Sequence, residues 1–172
     1  MSPTAAATGV RPASAADADA IAAIYNEAVA ERSATFDTDP VTAADVAVWL
    51  GRDREPVLVA DLDGRVAGWA RVIASAERCA LAGVGEYTIY LERSARGRGI
   101  GRGLLAALVT AAESAGYWKL QGRLFTTNAA SRALARTAGF REVGVYERHG
   151  RLDGEWQDLL IVERLLGEAT RD

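Results

Sequence analysis

The chain has 172 residues, 49% of them hydrophobic and 25% charged, a balance that fits one folded domain with a real core and not a disordered or fibrous chain. A net charge of −3 argues against a nucleic-acid binder held by a broad basic surface. A single His and a single Cys exclude a His/Cys zinc site within one chain, and no apolar run approaches the ~20 residues of a membrane span.

Residues 1–9 read as a flexible arm, rich in Ala and Thr, without the basic start and apolar run of a signal peptide. With Cys79 unable to form an intramolecular disulfide, a soluble cytoplasmic protein is expected. Val10-Arg11 begins a short strand. Asp17 and Asp19 precede Ile21, Ile24, Ala28 and Val29, which recur at helical spacing with acids where a helix dipole favours them. Residues 31–40 are polar and turn-like, and Thr42 is placed to cap a second helix through Val46, Trp49 and Leu50. An apolar run at 57–60 and the hairpin signal Asp63-Gly64 predict paired strands, the second over 66–73. A third strand follows at 84–91.

A helix is predicted over 101–115, with Leu104, Leu105, Leu108 and Ala112 on one stripe. Next come a strand at 119–125, a helix at 129–138, a strand at 141–147, a turn at 150–154 and a closing strand at 156–163. No repeat or linker interrupts this order. The expectation is one mixed α/β domain over 10–167, followed by a short tail at 168–172.

The most informative stretch is Arg96-Gly97-Arg98-Gly99-Ile100-Gly101, between a strand and a helix. Glycines let the backbone turn sharply and approach a ligand, and the N–H groups at a helix start favour a phosphate. Arg93, Arg96, Arg98 and Arg102 add cations suited to a diphosphate. No Gly-Lys-Ser/Thr follows, and the glycine spacing does not fit the dinucleotide fingerprint. A solvated basic turn with helix-breaking glycines is the plainer alternative.

Arg-x-x-Gly-x-Gly between strand and helix resembles the motif with which the GNAT superfamily of N-acetyltransferases grips the pyrophosphate of acetyl-CoA. Asn128-Ala129-Ala130-Ser131 followed by Gly139-Phe140 is similar to that family's later helix. As a helix N-cap, Asn128 would also have a purely structural use. Closer resemblance is to the branch that acetylates phosphinothricin, methionine sulfoximine and arsinothricin. It is carried by Glu86-Tyr87-Thr88-Ile89-Tyr90-Leu91, by 139–144, by Gly154-x-Trp156-x-Asp158 and by Ser33-x-x-Phe36. The resemblance implies a mostly antiparallel twisted sheet of about seven strands flanked by about four helices. It also implies acetyl-CoA as co-substrate, no metal and a homodimer.

It assigns acetyl-CoA contacts to Leu91, Arg93, Arg96, Gly97, Arg98, Gly99, Ile100, Gly101, Arg102, Asn128 and Ser131. Substrate contacts fall on Phe36, Arg78, Thr88, Tyr90 and His149. Arg78 stands where the branch has an arginine in a Lys-x-Arg segment, although Ala76 replaces that lysine and Leu81 a frequent tyrosine. Glu86 is the candidate general base, on one strand face with Thr88 and Tyr90; the alternative is a structural pair with an arginine. Ala135 occupies the position of the tyrosine that protonates the leaving thiolate in many relatives, which leaves Tyr146 and His149 as candidates. For His149 an exposed turn is the competing reading, for Cys79 a passive small residue, and for Trp156 core or dimer packing. A polyamine or protein N-terminus as acceptor, or a non-catalytic acyl-CoA sensor, are the alternative functions.

Overall fold

The computed structural model describes residues 8–75 and 79–171. Its elements in chain order are β1 (Thr8–Pro12), α1 (Ala18–Glu31), α2 (Ala43–Leu50), β2 (Val57–Leu62), β3 (Arg65–Ala74) and β4 (Val84–Leu91). The order continues with α3 (Ile100–Ser114), β5 (Lys119–Phe125), α4 (Ala129–Thr137), β6 (Arg141–Leu152) and β7 (Glu155–Leu165). The strands form one sheet in the order β1-β2-β3-β4-β5-β7-β6, and every neighbouring pair is antiparallel except β4 and β5. This is the seven-stranded mixed sheet with four helices that the resemblance implied.

Local chemistry sets the element starts. Thr42 Oγ1 accepts the Asp45 N–H at 3.3 Å while the Asp45 carboxylate accepts the Thr42 N–H at 2.7 Å, a reciprocal cap for α2. The buried Asp17 carboxylate accepts two 2.8 Å hydrogen bonds from Arg11 and one from the Ser14 N–H. That network ties β1 to the start of α1, and the guanidinium holds the Asp17 carboxyl well below the usual carboxylate range.

The sheet separates two cores. The α3 stripe, Leu104, Leu105, Leu108 and Ala112, packs with Tyr87, Leu120, Phe140 and Val162 on one face. On the other, Ile21, Ile24, Tyr25 and Val29 of α1 and Val46 of α2 pack against Val59 and Trp69. Among the described residues no helix is long and apolar enough to cross a membrane, and no group of His, Cys, Asp or Glu is placed to hold a metal.

Two boundaries differ from expectation. β1 begins at Thr8, inside the expected arm, because backbone pairing continues through Thr8↔Leu62 and Gly9↔Asp61 without needing apolar side chains. β6 runs on through Gly150, where the sequence predicts a turn. The turn is Asp153-Gly154, with φ of 50° and 86°, the left-handed pair that a tight hairpin requires. Gly150 has a different reason to be glycine: the Phe36 ring lies against it, and an added Cβ would come within 2.5 Å of that ring.

Candidate active site

The site begins where two strands part. β4 and β5 pair only through Val84↔Lys119, Gly85↔Leu120 and Glu86↔Gln121, whereas β5 goes on pairing with β7 as far as Phe125. Past Glu86 the backbone edge of β4 that faces β5 therefore has no ladder partner. A cleft of about 580 Å³ opens there. Ile89, Tyr90 and Leu91 form one wall, and Thr127 to Ser131 with Leu134 form the other. The glycine turn closes one end.

At that turn Gly97 and Gly99 have φ of 73° and 81°, and an added Cβ at either would meet nothing within 4 Å. The left-handed backbone, not crowding, calls for glycine, and the open surroundings leave the backbone approachable. Gly101 sits inside the first turn of α3 against the side chains of Leu91 and Leu134, so its role is close packing. Both α3 and α4 begin at the cleft, which brings two helix N-termini with their partial positive charge to one cavity. Asn128 caps α4 by accepting the Ser131 N–H at 3.0 Å, and its Nδ2 donates to the Ser33 carbonyl at 3.4 Å.

Of the residues expected to hold acetyl-CoA, Leu91, Arg96, Gly97, Gly99, Gly101, Arg102, Asn128 and Ser131 line the cleft. Arg93, Arg98 and Ile100 do not. Ile100 is buried in the core because it starts the apolar stripe of α3. Arg93 is turned to α1, where its Nε donates to Glu31 at 2.9 Å, and Arg98 is exposed on the turn. Glu31 carries no functional signal in sequence, since it lies at the start of a segment that reads only as polar turn. It lines the cleft and accepts both Arg93 and Arg96, the latter through both carboxylate oxygens at 2.9 and 3.0 Å. Burial pushes the Glu31 carboxyl up, but the hydrogen bonds from Arg96 and Arg93 outweigh it and hold the group below its ordinary value.

Glu86 occupies the fork itself, the last paired position before the strands separate. Its Oε2 accepts Arg123 Nε at 3.0 Å and Nη2 at 2.5 Å, so the arginine pair weighed as an alternative does form. Among the described residues Oε1 has no hydrogen-bond partner. The place of Arg123 beside Glu86 follows from the parallel register of β4 and β5, which local sequence does not reveal. The pair also raises Arg123 above its ordinary value through the Glu86 hydrogen bond.

A smaller pocket of about 40 Å³ adjoins the cleft, sharing Ala34, Ile89, Tyr90, Asn128 and Ser131 and adding Thr88 and Arg123. Thr88 Oγ1 is buried without a hydrogen-bond partner. Tyr90 packs with ring centroids 4.9 Å from Tyr25 and 5.1 Å from Trp69, and burial pushes its hydroxyl well up. Tyr25, pushed up to about 12 by burial first and then by its hydrogen bond to Asp37, stays neutral and donates to that carboxylate.

The remaining candidates fall in other places. Phe36 packs edge-on against Phe125, centroids 4.9 Å apart, behind the pocket wall instead of lining it. His149 lies on exposed β6 with its ring 5.1 Å from Tyr146, on a strand and not in a turn, and neither residue lines the cleft. Ala135 is buried in the core and Cys79 is exposed. Trp156 is exposed rather than core, with the Arg151 guanidinium 4.8 Å over its ring. Asp158 Oδ1 accepts the Arg148 N–H at 2.6 Å and pins the irregularity in β6. Arg78 and Ala76 lie outside the described residues.

Comparison with known proteins bears on this geometry. The family model described as "Acetyltransferase (GNAT) family" matches residues 21–140. The chain is 34% identical over 158 residues to the L-methionine sulfoximine/L-methionine sulfone acetyltransferase of Pseudomonas aeruginosa, covering 90% of this chain and 92% of that protein. Among solved structures, a GNAT superfamily phosphinothricin acetyltransferase from Sinorhizobium meliloti in complex with acetyl-CoA superposes with a TM-score of 0.89 at 34% identity, covering 96% of this chain and 91% of that one. A ribosomal-protein-alanine N-acetyltransferase from Brucella melitensis superposes with a TM-score of 0.88 at 37% identity, covering 92% and 99%.

Proposed function

From the premise that the chain belongs to the acetyltransferase (GNAT) family, we propose that its cleft takes acetyl-CoA and that it acetylates the amine of a small amino-acid-like acceptor of the phosphinothricin, methionine sulfoximine and arsinothricin class. The observation that carries this reading is the parting of β4 from β5 just past Glu86. It opens a cavity at which two helices begin, with the Glu86 carboxylate at the fork where the strands separate.

The residues suit the co-substrate. The open, left-handed glycine turn and Arg96 and Arg102 fit a diphosphate, and the unpaired β4 edge near Leu91 offers backbone donors to a carbonyl oxygen. Acetyl-CoA supplies the acetyl group as a thioester. Glu86 takes the amine proton, directly or through one water, as the new C–N bond forms and the C–S bond breaks. Arg123 fixes the Glu86 carboxylate by one oxygen and leaves the other without a partner among the described residues. The departing sulfur takes its proton from solvent, since neither Tyr146 nor His149 lines the cleft. Thr88 and Tyr90 form the acceptor side, on the same strand face as the base. Acetylation removes the positive charge of the acceptor amine, and resistance to a toxic glutamate analogue follows from that loss.

A second reading, transfer to a protein N-terminal alanine, draws on the likeness to the Brucella melitensis enzyme. A panel of acceptors with acetyl-CoA and a free-thiol readout separates the two. It holds phosphinothricin, methionine sulfoximine, spermidine and a peptide beginning with alanine. Turnover confined to the first two is expected; turnover with the peptide alone moves the assignment, and none with any amine overturns catalysis. In the same preparation acetyl-CoA raises the melting temperature by binding the folded state, and Gly99→Val removes that rise. A retained rise in the folded variant would remove the glycine turn from the binding site.

The homodimer is proposed on the outer positions of the edge hairpin. Val143, Val145 and Tyr146 are exposed on the long edge strand β6 and Trp156 on its hairpin partner β7, and a second copy would cover them. Sedimentation equilibrium tests it.

A further inference from the structure

The acceptor face of the sheet continues from β4 onto β3. Antiparallel register sets Trp69 opposite Tyr90, Arg71 opposite Thr88 and Ile73 opposite Glu86. Arg71 therefore stands on the same face as the proposed base, one pair of residues away. Its guanidinium carbon lies 3.9 Å from the centre of the Trp49 ring.

This cation is poorly satisfied. Arg71 Nε is buried with no hydrogen-bond partner, and the neighbouring Thr88 Oγ1 is in the same condition. Among the described residues Arg71 has no ion pair. The carboxylate that acts on it through space, Glu55, accepts the Ala74 N–H through Oε1, while its Oε2 lies 3.7 Å from Arg52 and is buried without a hydrogen-bond partner. The other charged and titratable groups around it are Arg52, Tyr25 and Tyr90. Stacking on Trp49 offsets part of the cost of burying the guanidinium, but it supplies no acceptor for the N–H groups. Arg71 lines neither the cleft nor the smaller pocket, but Thr88 lines the latter, so two adjacent buried donors without acceptors stand at its margin.

A carboxylate matches the planar fork of a guanidinium. Positions 86 and 88 on one strand face are separated by about 7 Å, at about 3.3 Å per residue. That span accommodates an α-amino acid whose carboxylate meets Arg71 and Thr88 while its amine reaches Glu86. We infer that Arg71, supported on Trp49 and beside Thr88, binds the α-carboxylate of the acceptor and so makes an acid group next to the amine a requirement for acetylation. This rests on the N-acetyltransferase reading above and deepens it.

The test uses the full chain with saturating acetyl-CoA and two acceptors, methionine sulfoximine and its α-carboxamide, which differ only in the acid group. Wild type is expected to favour the acid. Arg71→Met keeps a side chain over Trp49 but removes the fork, and it should raise KM for the acid about 10–100-fold with kcat little changed. The carboxamide constants should not move. Arg71→Lys, which keeps the charge and is the milder change should Arg71→Met fold poorly, should raise KM for the acid less and again spare the carboxamide. Acetyl-CoA affinity should match wild type in both, and the melting temperature should hold or rise. Equal use of acid and carboxamide by wild type overturns the inference, as does an equal change for both acceptors or none for either. Those outcomes leave the acetyltransferase reading intact. Absence of thiol release with every amine of the panel overturns both.

Discussion

The two faces of β4 differ in almost every respect although one backbone makes both. Tyr87 is buried in the α3 core and Ile89 and Leu91 pack against it at the cleft wall; the Tyr87 ring sits 4.8 Å from Phe140 and close enough to Gly122 that an added Cβ there would come within 2.5 Å of it. Glu86, Thr88 and Tyr90 point the other way, among Arg123, Arg71 and the aromatic rings of α1, α2 and β3. Three buried polar atoms without partners gather on that second face: Trp69 Nε1, Arg71 Nε and Thr88 Oγ1. Packing on the first face stabilises the strand strongly enough for the second to keep groups that cost stability when empty. A strand with period two can thus divide stability from chemistry residue by residue.

The sharpest way to break the division is at Glu86. Glu86→Gln keeps shape but accepts no proton, so kcat should fall about 10²–10⁴-fold while the melting temperature and acetyl-CoA affinity stay near wild type. The loss should shrink as pH rises, because more acceptor amine is already neutral; pH–rate profiles with the amine's own ionisation separated would check this. Full activity near neutral pH would assign the proton to another group.

Tyr87→Ala, one residue along on the other face, should do the opposite. Removing a buried ring should lower stability by about 3–5 kcal/mol, read by denaturant unfolding, with acceptor KM of the remaining folded enzyme near wild type. The smallest effect is expected at Thr88. Thr88→Val removes a buried hydroxyl that has no partner, so stability should hold or rise by about 1 kcal/mol at most. KM for an amino-acid acceptor should nonetheless rise several-fold. A matching loss of stability would show that Thr88 is satisfied in the free enzyme.

Much of this division was legible in sequence. Alternation along 84–91 assigned each side chain to its face, and the glycine turn announced the helix start that lines the cleft. The partners were not legible. Arg123 meets Glu86 only because β5 runs parallel to β4 with Gln121 in register, and Arg71 joins Thr88 only through the β3–β4 pairing. Both are long-range facts that local spacing does not encode. Glu31 had no signal at all, because its role depends on how α1 ends against the turn at 93–96. Gly150 misled for a physical reason, since a glycine that clears room for Phe36 looks the same in sequence as one that turns the chain.

The brevity of the β4–β5 ladder has a mechanical consequence. Three residue pairs join a slab made of β1 to β4 to a slab made of β5, β7 and β6, so along this seam the backbone contributes little stiffness. Side chains shared beneath it, Tyr87 with Phe140 and Leu120 with the α3 stripe, carry the shear instead. A molecule lying in the gap would brace the two slabs against each other where amide pairing has stopped. Amide hydrogen exchange along 119–125 should then slow on acetyl-CoA binding by more than at the outer β1–β2 pair, because the brace acts on the seam and leaves the far edge as compliant as before.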